Sequence, residues 1–178
     1  MTDAPFDPGP PAAVDCQSDG DRRTLIFVRD LRHAPERVWT ALTEPDQLRA
    51  WSPYTADCSL ARPGDVTLTM FASADEEGEQ LQASVTQAEP PRVLEYAMGT
   101  DMVRWELEPR DSGTRLTLRH TVADADWVPK VAAGWHLCLA VAERLLDGRP
   151  VTPIRGEEAK EHGWEALRRG YAEHLGIG

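Results

Sequence analysis

Two histidines and a scatter of aromatics are the side chains through which this chain could do chemistry. His120 falls in a stretch where Leu116, Leu118, His120 and Val122 alternate with Thr117, Arg119 and Thr121. Such alternation sends every second side chain to one face of a strand, so this imidazole is expected to point inward among apolar neighbours. Two roles fit it: a core histidine satisfied by a backbone group or water, or a hydrogen-bonding group in a cavity wall that titrates near neutral pH. His136 directly follows Trp135 in GWHLCLAVAERLLD. Successive helical positions lie about 100° apart. If Trp135 faces a sheet squarely, His136 faces its edge, either near a cavity mouth or against the C-terminal segment. Met70, Tyr96 and Trp105 are inward on their own strands by the same alternation. With Leu118, His120, Trp135, His136 and Leu139 they make a candidate ligand-binding set, mostly apolar with a few polar tips, a composition shared by small-molecule sites and ordinary cores.

Other chemistries lack their residues in the sequence. There is no GxSxG, and Cys138 lies in an apolar helical stretch with no activating base beside it. His33, His162 and His174 are far apart and lack metal-ligand spacing, and no glycine-rich phosphate loop follows a strand. No cofactor and no metal are therefore expected.

The positioning elements can be read in turn. Asp126 to Asp147 reads as one long helix, with Val128, Val131, Ala132, Trp135, Leu139, Ala142 and Leu146 recurring at three- and four-residue steps. Asp126 is placed to cap it, Pro129 fits its first turn, and Gly148 ends it. Upstream, RRTLIFVRDL reads as a strand with apolar residues on both faces, and Pro35 and Pro45 set off two short helices carrying Val38, Trp39, Leu42 and Trp51. Trp39 and Trp51 are assigned to packing of those helices. Period-two runs follow around Val66–Phe71, Leu81–Thr86, Leu94–Tyr96, Val103–Leu107 and Leu116–Val122, separated by Pro-, Gly- and Asp-rich turns. Residues 157–176 look helical, with Trp164, Leu167, Tyr171 and Leu175 on one stripe, and are expected to lie across the outside of the body. The expected organisation is an irregular tail over 1–21, a domain over 22–148, and an extension with a helix over 149–178. The fold class is α+β: a curved antiparallel sheet of about seven strands wrapped around the long helix, with room for an internal hollow.

Composition narrows the partners. Net charge is −11, with 30 acidic against 19 basic residues, so no basic stripe exists to neutralise a nucleic-acid backbone. No apolar run approaches the roughly 20 residues of a membrane helix, and no membrane insertion is expected. The N-terminus lacks the basic start and apolar stretch of an export signal. Three widely spaced cysteines form no disulfide framework, so a reducing cytoplasm is the expected location.

The stretch APERVWTALTEPDQLRAW resembles the opening signature of the START-like, helix-grip superfamily, also called SRPBCC, and within it the branch of activator of heat-shock-protein-90 ATPase homologues. Pro35, Val38, Trp39, Leu42, Thr43, Pro45, Leu48 and Trp51 carry the resemblance. Gly134 to Val151 and HGWEALRRGYAEHLG resemble later segments of bacterial members. The resemblance implies the helix-grip fold. It leaves three activities open, since the superfamily includes lipid carriers, polyketide cyclases, hormone receptors and co-chaperone-like proteins. The first expectation is binding of a small hydrophobic or aromatic molecule between sheet and long helix. The second is a cyclase- or dehydratase-like enzyme with His120 or His136 as acid or base. The third is an interaction protein with a protein partner; a homodimer is compatible with any of them. Two departures stand out: Trp51-Ser52 replaces the paired aromatics frequent in relatives, and the co-chaperone's separate N-terminal domain is not seen, which argues against chaperone activation.

Overall fold

A long helix needs a surface for its apolar stripe, and here a single curved sheet supplies it. The computed structural model describes residues 6–9 and 11–177. The helix is α3, Val128–Leu146, and Val128, Ala132, Trp135, Leu139, Ala142 and Leu146 are all buried on it. A one-turn 3-10 segment, Ala125–Trp127, leads into it, which moves the cap upstream. Asp124, not the expected Asp126, is the capping residue: its carboxylate accepts from the Asp126 N–H at 2.9 Å. Pro129 lies in the first turn of α3, where its missing N–H forfeits no helical bond. Gly148 at φ 76° lies just past the end of α3, as a left-handed terminator does.

The sheet is antiparallel and eight-stranded, in the order β1-β2-β8-β7-β6-β5-β4-β3. Its strands are β1 (Ala13–Asp19), β2 (Arg22–Leu31), β3 (Tyr54–Ala56), β4 (Gly64–Phe71), β5 (Glu77–Glu89), β6 (Val93–Met98), β7 (Asp101–Arg110) and β8 (Gly113–Val122). Alternation is kept strictly on β6 and β8, where Leu94, Tyr96, Met98, Leu116, Leu118, His120 and Val122 face inward. The opposite face is wet and laced with ion pairs, Arg104 to Glu95 at 2.9 Å and Arg119 to Glu106 at 2.8 Å. Register shifts in the β4–β5 and β5–β6 pairings bend the sheet around the helix.

Two strands exceed the expected pattern. Of the segment expected to be an irregular tail, residues 1–5 and 10 lie outside the described residues, and Ala13–Asp19 forms β1 at the sheet edge. Its sequence, AVDCQSD, has little strand propensity of its own; pairing with β2 along its whole length imposes the conformation. β3 is three residues long, too short to show a period.

Between β2 and β3 lie α1, Pro35–Thr43, and α2, Pro45–Trp51, each starting on its proline. Beyond α3, the expected continuous helix is broken. A 3-10 turn, Gly156–His162, ends at Gly163 with φ 84°, and α4 runs Trp164–Leu175. Instead of only lying across the outside, α4 packs on α3 and β1 and sends Leu167 and Tyr171 into the common core. No helix among the described residues is long and apolar enough to cross a membrane.

Candidate functional site

Trp135 is the residue around which the interior is built. On α3 it follows Val131 and Gly134 and precedes Cys138 at helical spacing, so these four share the face turned to β3, β4, β6 and β8. Its indole meets Trp105 edge to face at 5.2 Å between ring centroids, and Trp51, Tyr54 and His120 lie 6.1–6.3 Å away. Trp51 therefore does more than pack the short helices: it is 1% exposed, touches both Trp105 and Trp135, and donates its N–H to the Ala41 carbonyl at 2.8 Å.

The polar tips in this cluster satisfy one another. Trp135 Nε1–H donates to His120 Nδ1 at 2.9 Å, and His120 Nε2 lies 2.8 Å from Asp101 Oδ2. One protonation pattern serves both contacts: a neutral imidazole with its proton on Nε2, donated to the carboxylate. Trp105 Nε1–H donates to the Tyr96 hydroxyl at 3.2 Å, and that hydroxyl pairs with Tyr54. Burial, first of all, raises both phenols, Tyr96 to about 12 and Tyr54 well above its ordinary value. Burial likewise pushes the Cys138 thiol up to about 12, which keeps it a thiol and inert. Among the described residues no buried side-chain nitrogen or oxygen lacks a hydrogen-bond partner.

Beside this cluster is a hollow of about 390 Å³. Tyr54, Met70, Met98 and His120 line it from the sheet, Val131, Gly134, Trp135 and Cys138 from α3, and Ile154, Arg155 and Trp164 from the C-terminal segment. A Cβ built on Gly134 would meet nothing within 4 Å, so the helix face here is open. Arg155 is 4% exposed. It binds carbonyls only, those of Ser52 at 2.8 Å, Ala74 at 2.6 Å, Arg49 at 2.7 Å and Leu48 at 3.4 Å, and it lies over the Phe71 ring. Its burial depresses its pKa.

Of the residues singled out in the sequence, Met70, His120 and Trp135 meet at this hollow. Tyr96 and Trp105 stand one layer behind it, joined to it through Tyr54 and Trp135. Leu118 and Leu139 are buried in the core and do not line it. His136 lies elsewhere: Nδ1 is 2.7 Å from the Tyr171 hydroxyl, Nε2 is 2.8 Å from the Pro8 carbonyl, and Tyr171 in turn accepts from the Ala12 N–H. It ties the N-terminal segment and α4 to α3. Met98 was within reach of the alternation that found Leu94 and Tyr96. Ile154 and Arg155 were not, because the connector RPVTPIRG has no period to read. Among the described residues no three His, Cys, Asp or Glu side chains converge as a metal site would require.

A bent antiparallel sheet gripping a long helix defines a START-like helix-grip domain. A family profile described as activator of Hsp90 ATPase homolog 1-like protein matches residues 32–147, and the chain belongs to that family. No curated protein matches the chain. Solved structures do. A Bordetella parapertussis protein determined by NMR superposes with a TM-score of 0.68 at 22% identity, covering 98% of this chain and 96% of its own. CalU16 from Micromonospora echinospora superposes at 0.61 and 20%, covering 88% and 96%. An AHSA1-like protein from Aeromonas hydrophila superposes at 0.60 and 20%, covering 70% and 92%. At these identities the likeness is one of fold.

Proposed function

We propose that this protein is a binding module that encloses a small hydrophobic or aromatic molecule between the sheet and α3. The observation that carries the reading is the hollow of about 390 Å³, within the size range of small-molecule sites, walled mainly by apolar and aromatic groups. The competing readings draw less support. An acid–base enzyme needs an imidazole nitrogen free for substrate, and both nitrogens of His120 and of His136 are engaged within the protein. A surface acting on a protein partner needs an exposed apolar patch, and among the described residues Trp127 is the one large hydrophobic that is exposed. The three cysteines are all free, which supports a reducing, cytoplasmic setting.

Gly134 gives the test. Gly134→Leu places a side chain into open space on the cavity wall and replaces a mid-helix glycine, so the fold is expected to hold. Naphthalene and dodecanol are the probes, read by thermal unfolding. A probe at a hundredfold its Kd stabilises by about 2.7 kcal/mol. That raises Tm by roughly 5–10 °C for a chain of this size. The expected result is a shift in the parent protein that Gly134→Leu abolishes. Equal shifts in both proteins, or none in the parent, would overturn the reading.

A further inference from the structure

The wall of the hollow carries charge of one sign. Arg155 lines it and Lys160 stands at its rim, and no Asp or Glu is among its lining residues. That is unexpected on a chain with 30 acidic residues and a net charge of −11. The acids next to the rim are engaged: Glu157 pairs with Lys160 at 2.8 Å, and Glu158 accepts from the Ala74 N–H at 3.3 Å. Arg155 makes no ion pair among the described residues. Its carbonyl partners satisfy N–H groups but bring no net negative charge. A guanidinium has five N–H donors, and four contacts to carbonyls leave one of them, on Nη1, uncommitted. A cation withdrawn from water without a counter-ion gains most from an anion that reaches it in a low-dielectric site.

Resting on the reading of the hollow as a ligand site, we propose that its ligand is amphipathic, with an apolar or aromatic body in the hollow and a carboxylate or similar monoanionic head set against Arg155, with Lys160 at the rim. The apolar walls supply most of the contact area. The head fixes which end enters and excludes cationic analogues, which would face Arg155 with like charge.

The test compares decanoate, decanol and decylamine, and in parallel naphthalene-2-carboxylate and its methyl ester, by titration calorimetry. The parent protein is measured beside Lys160→Glu and Gly134→Leu. The acids are expected to bind ~10- to 100-fold more tightly than their neutral counterparts, the range for one charge-assisted hydrogen bond. Decylamine is expected to bind weakest. Lys160→Glu should narrow the preference for acid over alcohol, and added salt should narrow it only in part, since a sequestered pair is screened less than an exposed one. Acid, alcohol and amine binding alike, or amine binding best, overturns the anionic head but leaves an apolar site standing. Decanoate binding undiminished in Gly134→Leu places the acid outside the hollow and overturns the proposal. No binding by any compound overturns both the proposal and the ligand-site reading beneath it.

Discussion

At the scale of single residues, the two histidines of the interior are both held at both ring nitrogens, and they differ in the partner at Nε2. His120 sits between an indole N–H and a carboxylate. His136 sits between a phenol and a carbonyl, and its pKa is lowered, chiefly by burial, with Arg29 adding to the effect and the Pro8 carbonyl opposing it. The native state thus holds His136 neutral more firmly than the unfolded chain does. A group of this kind contributes stability that is fully present above the unfolded histidine value of about 6.5 and is lost as pH falls through the lower, folded value. Protonation also puts a hydrogen on Nδ1, facing a Tyr171 hydroxyl that already accepts from Ala12. Stability is therefore expected to drop as pH falls below about 6.5. Other groups titrate in the same solution, so the readout is a difference. The gap in unfolding free energy between the parent and His136→Gln should close as pH falls below that value. A constant gap assigns the acid sensitivity to another group.

At the scale of elements, legibility followed periodicity. β4 to β8 and α3 were readable because each repeats its apolar positions over at least six residues, long enough for a period of two or 3.6 to show. Met70, His120 and Trp135 were readable at the hollow for the same reason. β1 and β3 were not, because an edge strand and a three-residue strand are made by their partners. The connector that carries Arg155 has no period either, yet it holds α2 in place. Arg155 donates to the carbonyls of Leu48, Arg49 and Ser52 at the C-terminal end of α2, where a cation is favoured. Gly156, next in sequence, runs so close to the Ala72 carbonyl that a Cβ would stand 2.1 Å from its oxygen, and its φ of 61° suits glycine. Arg155→Met removes the donors to the Ser52, Arg49 and Ala74 carbonyls, while the Leu48 carbonyl keeps the Ser52 N–H. The expected cost is about 2–4 kcal/mol. In thermal unfolding that is a Tm lower by roughly 5–15 °C. Arg155→Lys, with charge retained but the planar fork lost, should fall between. A Tm unchanged in Arg155→Met would show that water replaces the clamp without loss.

At the scale of the whole molecule, an open eight-stranded sheet has two unpaired edges, and this fold treats them differently. The β3 edge is short and is followed in the chain by the loop that bonds back to α1 through Leu60 N–H and the Thr43 carbonyl. The β1 edge is seven residues long, and α4 lies against it. His174 on α4 reaches the Val14 carbonyl at 3.2 Å, and Tyr171 takes the Ala12 N–H at 2.8 Å, so α4 occupies backbone groups that would otherwise invite another strand. The same helix packs on α3, where Tyr171 meets His136, and its first residue, Trp164, lines the hollow. One element thus seals an edge, completes the core and borders the site. Ending the chain after Gly163 should undo all three together. The truncated protein is expected to be less stable by several kcal/mol, since burial of Leu167 and Tyr171 alone is worth about 1.5–3 kcal/mol per side chain. Light scattering against concentration should show it self-associating, through the freed β1 edge and the bared flank of α3. Adding Lys in place of Val14 to the truncated chain should reduce that association if strand pairing drives it, because an inward-pointing charge disfavours edge-to-edge contact. Truncated protein that stays monomeric at the parent's stability would mean that the sheet edge is protected without α4, and that the helix serves the hollow alone.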